Sequence, residues 1–93
     1  MKLRWLPEAA EDLREIHDFL RMHSPDMAHR IVNEIYDAAR ALTRTPYIGR
    51  PNTTRNTREL ILVRIRHKIV YRVHEDAVLI LRIRHTARGS FFN

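Results

Sequence analysis

The sequence predicts an α+β fold: a short N-terminal strand, an antiparallel helix hairpin, then a three-stranded antiparallel sheet with both helices on one of its faces. Three observations carry this. Apolar residues recur at helical spacing in two stretches of the first half. A helix-start signature sits in the short connection between them. Period-two alternation, interrupted by a turn pair, takes over in the second half. A chain of 93 residues is read as a single domain, 1–93. A domain this small buries a modest share of its surface, so a permanent partner would help it.

The opening "MKLRWL" alternates and is stopped by Pro7, which reads as an edge or joining strand. Pro7 suits the first helical position, with Glu8, Glu11 and Asp12 near the positive end of the helix. Ala9, Leu13, Ile16 and Leu20 form one face of a helix from Pro7 to about Met22. Ser24 is placed as N-cap, with Pro25 and Asp26 opening the second helix. Ala28, Ile31, Val32, Ile35, Ala38, Ala39 and Leu42 keep its inner face apolar.

Two prolines, Gly49 and several Asn and Thr residues then make Thr45–Thr57 a loop, with Arg50 and Arg55 as its bases. Strands follow near Arg58–Arg64, Lys68–His74 and Ala77–Thr86, the last two joined by a tight turn at Glu75-Asp76. Alternation assigns Ile61, Val63, Ile69, Tyr71, Val73, Leu79, Leu81 and Ile83 to the face under the helices. Leu60, Leu62, Arg64, Lys68, Val70, Arg72, Val78, Ile80, Arg82 and Arg84 go to the other face. That second face is half apolar and half basic, as a binding surface would be. Trp5 and Tyr71 are assigned to the core.

Charge is unevenly distributed. Residues 1–37 carry a net −3 and residues 38–93 a net +9, and fifteen of the seventeen basic residues are arginine. Planar guanidinium forks suit phosphate and carboxylate. Such polarity marks a nucleic-acid face or a site for an acidic protein, set against a plain solvated surface.

Other chemistries find little support. Without cysteine there is no disulfide, thiol nucleophile or thiolate zinc site. His17, His23, His29, His67, His74 and His85 lack metal-ligand spacing, so no metal and no cofactor is expected. Ser24 and Ser90 stand in no nucleophile motif, and Gly49 and Gly89 cannot make a phosphate loop. No N-terminal run is apolar enough for a signal peptide or a span, so a cytoplasmic protein with no membrane partner is expected.

RNA cleavage through the 2′-hydroxyl needs only a base, an acid and cations on the phosphate. His85 is the best acid or base, with Arg72 and Arg82 on the phosphate and Glu59 as alternative base. Strict alternation, however, puts His85 on the core side. A histidine hydrogen-bonded at a strand end is the competing reading.

Taken in order, "AAEDLREIHDFL" (9–20), "SPDMAHRIV" (24–32), "PYIGR" (46–50), "REL" (58–60), "IVYRV" (69–73) and "VLILRIRHTAR" (78–88) resemble the RelE/ParE superfamily of type II toxin–antitoxin toxins, the ParE branch best. The resemblance implies one twisted sheet under a helix hairpin. It also implies a growth-inhibiting toxin in a hetero-oligomer with a small antitoxin, whose tail wraps the sheet and helices.

ParE-like members poison DNA gyrase, whereas RelE-like members cut mRNA on the ribosome. The ribonuclease branch uses cations on the central strands and a histidine or tyrosine near the C-terminus; Lys68, Arg72, Arg82 and His85 stand near such positions. The lysine-rich region of strong ribonucleases is missing, since Lys2 and Lys68 are the only lysines. At Arg66-His67 relatives commonly carry an aromatic residue. The resemblance therefore favours a gyrase inhibitor over a ribosome-dependent endoribonuclease or a non-toxic antitoxin-binding member. The target or antitoxin surface is expected to comprise Arg50, Arg58, Leu60, Leu62, Arg64, Lys68, Val70, Arg72, Val78, Ile80, Arg82, Arg84 and Arg88.

Overall fold

A computed structural model describes residues 1–86. Strand β1 (Lys2–Trp5) leads into helix α1 (Pro7–Arg21) and helix α2 (Pro25–Ala41). Strands β2 (Arg50–Asn52), β3 (Thr57–Leu62), β4 (His67–His74) and β5 (Ala77–His85) follow, with a 3₁₀ turn at Val63–Ile65 between β3 and β4. The strands form one sheet in the order β1-β5-β4-β3-β2, parallel only between β1 and β5.

The helices start as their residues dictate. Pro7 and Pro25 occupy first-turn positions, where a missing N–H is no loss. The Ser24 hydroxyl accepts the Met27 N–H at 3.2 Å, which satisfies one of the orphan donors at the helix start. Ala9 and Leu13 of α1 and Ala28, Ile35 and Ala39 of α2 are buried. All of these but Ala28 pack with Ile69, Tyr71, Val78, Ile80 and Ile83 of the sheet into one core, and the Trp5 ring lies tilted against that of Tyr36, centroids 5.3 Å apart.

The α+β class and element order agree with expectation, and the two-residue turn joins His74 to Ala77. Three details differ. First, there is an additional strand: β2 lies in the expected loop and pairs only with Thr57–Glu59. It is short and contains Pro51, which has no N–H to give, so it survives only at a sheet edge.

Second, β3 has the opposite phase. Leu60 and Leu62 pack on the core, while Ile61 and Val63 are exposed. Residues 60–63 are all apolar, so alternation cannot choose a face; pairing of Leu60 with Ile69 does. Third, β5 changes phase midway. The register with β4 shifts between Val70, opposite Arg82, and Tyr71, opposite Ile80, leaving Leu81 as the extra residue of a bulge. Val78 and Ile80 are therefore core, not Leu79 and Leu81, whereas Ile83 is buried as expected.

Candidate functional site

Two surfaces result, on opposite sides of the sheet. The first is a cleft of about 700 Å³ between the helix hairpin and the end of the sheet. Ile16, Phe19 and Leu20 of α1, Met27 and Ile31 of α2, Ile65 and Ile83 make it apolar. Phe19 and Met27 remain substantially exposed. Arg64 reaches Glu34 of α2 at 2.8 Å on its rim.

His67 and His85 are cross-strand partners at one end of this cleft, their rings edge-to-face at 5.0 Å. The His67 Nδ1–H donates to the Ile65 carbonyl at 2.7 Å, because a carbonyl can only accept. Burial pushes the His67 ring below its usual titration range. The Ile65 carbonyl opposes this, and the His85 ring adds to it.

The second surface is the open face of the sheet, a shallow depression of about 470 Å³. Arg72, Arg82, Arg84 and Lys68 project onto it, Val70 and Leu81 form its apolar floor, and Arg55 flanks it. The bulge is what brings Leu81 and Arg82 to the same face. Arg82 is held by a bidentate bond to the largely sheltered Asp12, and Lys68 pairs with Glu59 at 3.2 Å, both partly buried. The Arg72 guanidinium donates to the carbonyls of Asn56 and Arg55, at 2.9 and 3.2 Å. Carbonyls position this cation without cancelling its charge.

The expected residues divide accordingly. Lys68, Val70, Arg72, Arg82 and Arg84 do share the open face. Leu60, Leu62, Val78 and Ile80 do not: they face the helices as part of the core or against it, a correction that follows from the β3 phase and the bulge. Arg58 lies opposite Tyr71 on the helix side. It donates to the carbonyls of Tyr47 and Gly49 and lies 5.1 Å over the Tyr47 ring. Arg64 sits on the 3₁₀ turn beside the cleft, since β3 ends at Leu62. Arg50 stands on β2 opposite Glu59, and Arg88 lies outside the described residues.

The catalytic set is not assembled. His85 lines the cleft on the helix side, as its phase with Ile83 requires, whereas Arg72 and Arg82 line the open face. Sequence reasoning missed the cleft altogether. Its signal was the apolar Phe19 and Met27, flanking the hairpin connection.

Among the described residues there is no group of three or more His, Asp or Glu placed to hold a metal ion. No helix among them is long and apolar enough to cross a membrane.

Comparison with known proteins agrees with this architecture. The Y4kP protein of Sinorhizobium fredii is 39% identical over 84 residues, 90% of this chain and 86% of that protein. Toxin RelE3 of Caulobacter vibrioides is 37% identical over 82 residues, 86% of this chain and 88% of that protein. Among solved structures, one of the chromosomal ParDE TA system from P. aeruginosa superposes with a TM-score of 0.80 at 30% identity, over 92% of this chain and 96% of that one. The toxin–antitoxin complex RelBE2 from Mycobacterium tuberculosis shares the fold, with a TM-score of 0.69 at 23% identity, over 90% of this chain and 95% of that one. The model of the ParE toxin of type II toxin–antitoxin systems matches residues 3–89, and with it the chain belongs to the ParE toxin family.

Proposed function

We propose that this toxin stops growth by poisoning DNA gyrase through protein contact, and that a cognate antitoxin neutralises it by filling the cleft between the helix hairpin and the sheet. The carrying observation is the separation of His85 from Arg72 and Arg82 on opposite sides of the sheet. Cleavage of a phosphodiester needs a proton acceptor within hydrogen-bond reach of the arginine-held phosphate. On the open face the only carboxylate among the described lining residues is Glu59, and Lys68 occupies it.

The antitoxin half of the reading rests on the cleft. Its apolar walls suit the anchors of an amphipathic helix, and Arg30 and Arg66 among its lining suit acidic flanks, Arg64 being paired with Glu34. Solved relatives are toxin–antitoxin assemblies by name.

The competing reading, a ribosome-dependent mRNA endoribonuclease with His85 as acid or base, draws on the basic face and on the likeness to Toxin RelE3. Pulse labelling in bacteria after induction of this chain alone separates the two. Thymidine incorporation stopping before methionine incorporation is the expected result. The reverse order would replace the gyrase reading with the ribonuclease one, and continued incorporation of both would leave an antitoxin-binding module.

A further inference from the structure

We infer that the open sheet face binds the phosphate backbone of duplex DNA, so that the toxin engages gyrase together with the DNA gyrase holds. The inference rests on the gyrase reading above and adds a ligand to it.

The face carries a ladder of cations. Arg84 stands opposite Lys68, Arg82 opposite Val70, and Arg72 opposite Leu79. Positions 68, 70 and 72 of β4 are successive same-face rows, and two residues of antiparallel strand advance about 7 Å. That spacing is close to the separation of neighbouring phosphates along one nucleic-acid strand. The bulge at Leu81 keeps Arg82 in this series: without it, Arg82 and Arg84 would share a face with core residues Val78 and Ile80.

The cations are also prepared for an anion. Arg72 is fixed by two neutral carbonyls and keeps its full charge. Arg84 and Arg55 are exposed. Arg82 and Lys68 are offset by the carboxylates of Asp12 and Glu59, which leaves Arg55, Arg72 and Arg84 as the cations of this face with no ion-paired carboxylate among the described residues. Guanidinium groups held in advance lose little freedom when they bind phosphate.

Duplex is favoured over single strand because no aromatic side chain lies among the described residues lining the face. Unpaired bases need such platforms to stack on. A duplex stacks its own bases and offers only its backbone, and Val70 and Leu81 can lie against sugars between the phosphates. Of the α1 acids, Asp12 reaches the edge of this face, where it holds Arg82.

The test is fluorescence anisotropy of a short labelled duplex with the full-length toxin freed of antitoxin, alongside a supercoiling assay with gyrase. The intact toxin should bind duplex with a salt slope of about −3, one phosphate for each of Arg55, Arg72 and Arg84. Arg55→Glu/Arg84→Glu should weaken binding by about tenfold or more, and Arg55→Lys/Arg84→Lys should retain most of it. Both exposed positions leave the fold intact, which circular dichroism would verify.

Absence of duplex binding overturns the inference, as does affinity unchanged in the double glutamate variant. A marked preference for single-stranded RNA or an acidic peptide overturns it too. The two assays fail separately. Gyrase inhibition without duplex binding removes the DNA face and leaves the gyrase reading. Duplex binding without gyrase inhibition does the opposite.

Discussion

Asp12 and Arg82, 70 residues apart in the chain, form a bidentate pair at 2.8 and 3.0 Å, and the same carboxylate accepts the Ile83 N–H at 3.0 Å. Strand β1 covers β5 only as far as Ile80. Asp12 therefore takes over where β1 stops, fastening α1 to the uncovered part of β5. Burial works against the charged carboxylate, but Arg82 and the Ile83 N–H outweigh it and hold Asp12 below its ordinary range.

Asp12→Ala is expected to destabilise the fold by about 1–3 kcal/mol, chiefly by leaving the Ile83 N–H without its partner. Asp12→Asn, which keeps an acceptor oxygen, should lose less. Chemical denaturation of the three proteins measures this, and equal midpoints would show that the clasp does not hold α1 to the sheet.

Tyr71 performs a similar task for the Pro46–Arg50 loop. Its hydroxyl donates to the Pro46 carbonyl at 2.7 Å and accepts the Gly49 N–H at 2.9 Å. Tyr71→Phe should cost about 1–3 kcal/mol by leaving a buried N–H unsatisfied. Gly49 is required for space rather than for its φ angle: a Cβ there would lie 2.5 Å from the Tyr71 oxygen. Gly49→Ala should therefore also destabilise, and a thermal melt in which either variant matches the parent would exclude this clamp.

How much of this was legible in the sequence varies by element. The helices and β4 were clear, because one period dominates each and Ser24 and Pro25 mark the hairpin. The phase of β3 was not, since residues 60–63 are apolar throughout. The bulge at Leu81 was invisible, because it belongs to the pairing of two strands. Arg82 was thus assigned to the correct face together with Val78 and Ile80, which lie on the other one. The cleft was illegible for a different reason: its walls come from both helices, the 3₁₀ turn and β5, and no single segment carries its signature.

Acid should weaken the fold in two separate windows. His67 in the unfolded chain titrates near 6.5, whereas burial lowers it in the folded one. Its contribution is therefore present above pH 6.5 and lost as pH falls toward the folded value, because only the unfolded chain accepts the proton. Asp12, lowered from 3.8, contributes above that pH and loses its effect only below it. His67→Phe should flatten the decline that begins near pH 6.5 and leave the Asp12 window in place. A stability–pH profile that the substitution does not change in the upper window would show that His67 is not its source.

The cleft makes the sharpest prediction about neutralisation. Phe19 is 63% exposed at its mouth, so its replacement should not unfold the chain. If an antitoxin segment buries it, Phe19→Asp removes an apolar anchor and sets a carboxylate in its place, and exposed aromatic anchors dominate interfaces of this kind. Affinity for the antitoxin should fall by at least about tenfold, roughly 1.4 kcal/mol or more. Toxicity should persist, since the open face is untouched. In cells this appears as growth arrest that co-expressed antitoxin no longer relieves; by calorimetry, as weaker binding that also declines with added salt because Arg30 and Arg66 line the site. Full rescue of Phe19→Asp by the antitoxin, with unchanged affinity, would place the neutralising contact elsewhere on the toxin.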